Sequence, residues 1–89
     1  MQLSEEVTNE VRTRLRRVAG QVEGVERMLA DGRECREVLA QLSAATKALE
    51  QAAFRLVATG LTYCLEHPAE AEADGYGVEA VQKMFMKLA

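Results

Sequence analysis

Residues 34–66 read ECREVLAQLSAATKALEQAAFRLVATGLTYCLE, with no proline anywhere in the run. Cys35, Leu42, Leu49, Leu56 and Tyr63 recur every seven residues. Val38, Ala45, Ala52 and Thr59 form a second row, and Leu39, Thr46, Ala53 and Gly60 a third. Rows sustained over four heptads predict one long helix packed lengthwise against other helices, and the small residues among them permit close approach.

The flanking segments carry their own signals. Upstream, Val7, Val11, Leu15, Val18, Val22, Val25 and Leu29 step by three and four, which predicts a first helix over about 4–30. Ser4 or Thr8 is suited to cap its start, and Asp31-Gly32 to end it. Gly20 and Gly24 each weaken that helix by about 1 kcal/mol relative to Ala. A close helix–helix crossing is the expected compensation. Downstream, His67-Pro68 stops the central helix over about 34–66, because the residue before proline disfavours helical backbone. Ala69–Gly77, acidic and small, reads as a loop. Val78, Val81, Met84, Phe85 and Leu88 predict a closing helix over about 78–88.

The chain therefore reads as a single all-α domain over residues 1–89, a three-helix subunit with one long central helix. At 89 residues without tryptophan, and with only Phe54, Phe85, Tyr63 and Tyr76 aromatic, its core is thin. Such a chain is expected to complete its core with a second copy. No apolar run approaches the ~20 residues that span a bilayer. The acidic start lacks the basic and apolar regions of a signal peptide, so a cytoplasmic location is expected. No acid–base constellation or phosphate-cradling loop is present, and an enzyme is not expected.

The net charge is −3, yet charge is unevenly distributed. Arg12, Arg14, Arg16 and Arg17 lie within a short stretch whose one acid is Glu10. Lys47 and Arg55 on the central helix are placed to extend this basic patch. Local patches, not totals, decide where a phosphate backbone docks, so double-stranded DNA is the candidate partner. A solvated face pairing with Glu10 and Glu23 is the competing reading.

Cys35 and Cys64 are 29 residues apart on one helix, roughly 43 Å along its axis at 1.5 Å per residue. Twenty-nine residues at about 100° each make about eight turns, so both face one stripe. Within a subunit they cannot meet. Paired antiparallel with a second copy, Cys35 of one chain lies beside Cys64 of the other, twice, about a two-fold axis. Cys35 stands in the first turn, where the dipole and flanking Arg33 and Arg36 favour a thiolate. Cys64 lies near the helix end beside Glu66. Buried apolar filler is the competing reading of both. His67 is either a third metal ligand beside these thiols or a solvated residue at a helix end. Met28, Met84 and Met86 read as packing.

With these residues in view, the chain resembles the copper-sensing operon repressor (CsoR) family. The likeness rests on Arg14-Leu15-x-Arg17-Val18-x-Gly20-Gln21-x-x-Gly24-Val25-x-x-Met28-Leu29, then Cys35, Val38-Leu39-x-Gln41-Leu42-Ser43-Ala44 and Cys64. It implies an antiparallel helix-bundle dimer assembling into a homotetramer. It also implies operator DNA as partner, a basic contact to DNA at Arg14, and release of DNA when an effector occupies the inter-subunit site. Copper(I)-binding members place Cys, His and Cys at positions that fall here on Cys35, Gly60 and Cys64, so the middle ligand is missing. Nickel- and cobalt-sensing members use an N-terminal histidine, which is absent, and formaldehyde-sensing members a proline where Gln2 stands. The pattern left is similar to the CsoR-like sulfurtransferase repressor (CstR) branch, which senses persulfides. On that likeness a persulfide or polysulfide donor cross-links Cys35 and Cys64 of neighbouring subunits, with no cofactor. The alternative is a copper(I)-responsive repressor using Cys35 and Cys64, with His67 as a non-standard third ligand.

Overall fold

The structure, a computed structural model, describes residues 1–89 and is all-helical: α1 Glu5–Ala30, α2 Cys35–Glu66, α3 Pro68–Ala73 and α4 Val78–Leu88. Ser4 caps α1, its Oγ accepting the Val7 N–H at 3.2 Å. Gly32 closes the helix at φ +69°. Its N–H donates to the Leu29 carbonyl, and the Arg33 N–H donates to that of Met28. That paired closure requires left-handed backbone, which glycine adopts without steric cost. The chain then reverses, and α1 and α2 form an antiparallel hairpin.

Helix α2 runs unbroken for 32 residues and stops at His67, where the backbone leaves helical geometry (φ −134°, ψ 63°). The loop expected over Ala69–Gly77 is only partly a loop, and the subunit has four helices, not three. Pro68 occupies the first turn of α3, where its missing N–H costs nothing, and the Ala and Glu residues after it are good helix formers. Gly75, at φ +81°, closes α3 as Gly32 closes α1, with the Tyr76 N–H donating to the Ala71 carbonyl at 2.7 Å. This turn sends α4 back along the C-terminal half of α2.

Packing uses only part of each apolar stripe. Val7, Val11, Val18 and Val25 of α1 are buried, as are Val38, Ala45 and Ala52 of α2. Val7, Val11 and Ala52 form one core cluster with Leu56 against it, so it is the second heptad row of α2 that meets α1. Leu15, Val22 and Leu29 of α1 and Leu39, Leu42 and Leu49 of α2 remain exposed. The Cα frame measures 55 × 25 × 13 Å, a single layer of helices. Domains bury their apolar faces between two layers, and here one is missing. The crossing expected at Gly20 and Gly24 is also not made inside the chain, since a Cβ added at either would meet nothing within 4 Å. No helix is long and apolar enough to cross a membrane.

Candidate effector site and nucleic-acid interface

The two thiols occupy opposite ends of α2 in unlike surroundings. Cys35 is the first residue of the helix and is exposed; Cys64 is buried, with 4% of its surface accessible. The electropositive setting expected around Cys35 is answered by carboxylates. Glu34 caps α2 by accepting the Arg36 N–H at 2.7 Å, and Arg33 is paired with Glu37 at 3.0 Å. Cys64 belongs to a second small core with Ala71 of α3 and Val81 of α4, bordered by Val57, Tyr63 and Tyr76. Ala71 is fully buried there. The buried reading thus describes Cys64 but not Cys35, and the helix that covers Cys64 lies where the sequence reads as a loop. The helix-forming composition after Pro68 was the available signal for the element that covers it.

Gly60, one turn before Cys64, is buried as well. A Cβ built there would lie 3.8 Å from Cδ1 of Tyr76 and 3.9 Å from Cγ2 of Val81, ordinary contact distances. A methyl group therefore fits beside Tyr76 and Val81. Nowhere within one chain do three His, Cys, Asp or Glu side chains converge as a metal site. His67 is exposed, its ring 6.0 Å from that of Tyr63 and three residues beyond Cys64 in sequence. Tyr63 donates to Asp74 Oδ2 at 3.4 Å, and the Met1 ammonium also pairs with Asp74. Partial desolvation, the charges of Asp74 and Glu70, and that hydrogen bond hold the Tyr63 phenol above its ordinary value of 10.0.

The arginine cluster lies on the N-terminal half of α1. Arg12, Arg16 and Arg17 are exposed, and Arg14 is half-buried. The expected pairing with Glu10 is made by Arg14 at 3.7 Å; none is made with Glu23. Arg55 of α2 reaches across to Glu10 at 2.9 Å and also donates to Thr59 at 2.9 Å. Arg55 is thereby committed to a partner inside the chain, whereas Lys47 is exposed and unpaired. Asn9, Glu10, Thr13, Arg14 and Arg17 line one shallow polar depression. The structure thus brings Arg14, Arg17 and, through Glu10, Arg55 together, with Arg12 and Arg16 exposed on the same stretch of helix.

The chain thus carries a free thiol at each end of a 32-residue helix, an arginine cluster on the neighbouring helix and a bare apolar face. The model of a metal-sensitive transcriptional repressor family matches residues 8–88. The chain belongs to that family. Among relatives of this repressor, the copper-sensing transcriptional repressor RicR of Mycobacterium tuberculosis (strain ATCC 25618 / H37Rv) is 45% identical over 71 residues, covering 75% of this chain and 73% of that protein. The copper-sensing transcriptional repressor CsoR of Bacillus subtilis (strain 168) is 30% identical over 76 residues, covering 85% of this chain and 72% of that protein. No solved structure matches. The matched family is one of transcriptional repressors, not of enzymes, and a repressor family implies operator DNA as the partner. Both relatives are named for copper, so the persulfide-sensing branch that the cysteine pattern resembles is not the one these similarities support.

Proposed function

We propose that this repressor binds operator DNA through the arginine cluster of α1 (Arg12, Arg14, Arg16 and Arg17), with Lys47 extending it, and responds to copper(I) held between Cys35 of one chain and Cys64 of another. The observation that carries this reading is the pair of free thiols at opposite ends of α2 in a chain 45% identical to a copper-sensing repressor. Two soft thiolates suit copper(I). The residues present supply two sulfurs and no third donor at Gly60, so they fit a two-sulfur site.

Titrating reduced protein with copper(I) against a competing chelator, while following binding to a labelled operator duplex, tests the proposal. Tight binding of one copper per Cys35–Cys64 pair, with loss of DNA affinity, is expected. Micromolar or weaker copper that leaves the DNA bound would sink it.

Gly60 favours a second reading. With no donor atom there, the two thiols also suit persulfide chemistry. The Cys35 sulfur attacks the outer sulfur of a persulfide RSSH and expels RSH, leaving a Cys35 persulfide. Cys64 of the other chain attacks the Cys35 sulfur, and hydrogen sulfide departs as the disulfide forms. Intact-mass spectrometry after treatment with a persulfide donor separates the readings. A covalent dimer supports the second, and unmodified chains exclude it.

A further inference from the structure

We propose that Glu10 is an electrostatic toggle, shared between the DNA-facing Arg14 and the effector-helix residue Arg55, which sets how much positive charge Arg14 offers to a phosphate. The proposal rests on the operator-binding reading and adds to it the residue that connects that surface to α2.

Each oxygen of the Glu10 carboxylate serves a different arginine. Oε2 lies 2.9 Å from Arg55 Nε, a hydrogen-bonded pair, and Oε1 lies 3.7 Å from Arg14 Nη2, an ionic contact too long for a hydrogen bond. Arg55 is held in place from a second side, its Nη1 donating to Thr59 Oγ1, and that hydroxyl donates to the Arg55 carbonyl. The carboxylate is therefore drawn toward α2 and away from Arg14.

Removing that pull changes the preference. Glu10 and Arg14 are four apart on one helix, acid first, the arrangement in which such pairs close most favourably. Once Glu10 is released from Arg55 it closes on Arg14 and competes with DNA phosphate for the guanidinium. Beneath the bridge lie Val7, Val11 and Ala52, so its geometry reports how α1 and α2 sit on each other. Arg55 and Cys64 share one unbroken helix, nine residues apart. A displacement of α2 at Cys64 is therefore delivered to the bridge.

A double-mutant cycle on the full-length reduced protein tests this, measuring affinity for a fluorescein-labelled mixed-sequence duplex at about 50 mM salt, where phosphate contacts dominate. Glu10→Gln is expected to tighten binding about two- to fivefold, the range of an exposed ion pair. Arg55→Gln is expected to weaken it by a similar factor, and Arg55→Lys to restore it. The decisive expectation is that Arg55→Gln loses its effect once Glu10→Gln is present. An equal loss in both backgrounds would mean that Arg55 meets DNA itself and would overturn the toggle, as would an unchanged affinity in Glu10→Gln. Wild-type protein that fails to bind the duplex would instead remove the operator-binding reading beneath it. All four variants should keep the wild-type circular dichroism spectrum, because the bridge lies at the edge of the α1–α2 contact, about one-third exposed on each side chain (35% and 37%).

Discussion

Replacing Leu49 with alanine tests whether a second copy covers the bare face of the α1–α2 hairpin. In the single chain Leu49 is 50% exposed and Leu42, one heptad before it, 45%. Burying a leucine completely stabilises by roughly 1.5–3 kcal/mol. Covering the remaining half is therefore worth about 1 kcal/mol per copy. A two-fold dimer counts each substitution twice, so Leu49→Ala should cost about 2 kcal/mol of association, a roughly 30-fold rise in the dimer dissociation constant. Adding Leu42→Ala should bring the loss to about 4 kcal/mol, near a thousandfold. Sedimentation equilibrium over a wide concentration range measures both. Leu65 is the control: it is more exposed, at 69%, but lies sixteen residues on, roughly 160° around the helix. Leu65→Ala should leave that dimer constant unchanged. A wild-type chain that sediments at 9.8 kDa throughout, or a Leu65→Ala effect matching that of Leu49→Ala, would refute the reasoning.

Three further expectations follow from the same geometry. Cys35→Ser and Cys64→Ser should each abolish tight copper(I) binding, and refolding the two variants together should restore half the sites per chain in the mixed dimers; no recovery would overturn the pairing of Cys35 with Cys64 of another chain. Gly60→Ala should raise the thermal midpoint, because its Cβ makes ordinary contacts and helix propensity gains about 1 kcal/mol, whereas Gly60→His should lower it by overpacking worth about 1–3 kcal/mol against Tyr76; differential scanning calorimetry reads both. Tyr63 should ionise above its ordinary value in an absorbance titration and fall back toward it in Asp74→Asn. Because the folded value is raised, its contribution to stability is complete below pH 10.0 and is lost as pH rises through the folded value, which alkaline unfolding curves of the two proteins should show.

The hairpin was legible because its signals are local. Heptad rows, a serine ahead of Glu5, glycine at 32 and proline at 68 each constrain backbone over a few residues, and α1, α2 and α4 lie within a residue of the expected spans. The shared stripe of Cys35 and Cys64 was legible for the same reason, since it needs only an unbroken helix. Their unequal exposure was not. Cys64 is covered because Gly75 turns the chain so that Val81 and Tyr76 return to α2, a tertiary consequence of a six-residue helix too short to show periodicity. The partners of Arg55 were equally hidden. Glu10 and Arg55 are 45 positions apart and meet only once the hairpin has closed.

Those two unread features bear on how a signal travels. The buried thiol lies beneath α3 and α4, and the cluster holding them there is small: Cys64, Ala71 and Val81, with Val57, Tyr63 and Tyr76 around it. A six-residue helix has little stability of its own and depends on that contact. The α1–α2 hairpin, by contrast, is tied along its length by interior valines and alanines and by the Glu10–Arg55 bridge. Elements with few buried contacts open first, so the cap over Cys64 is where an arriving effector displaces structure at least cost. On the proposed reading, joining Cys64 to a second sulfur engages a thiol that packs here against Ala71 and Val81. The helix that carries Cys64 also carries Arg55. On the proposed reading, sensing chemistry at one end of α2 and charge presentation on α1 are linked through that single unbroken helix.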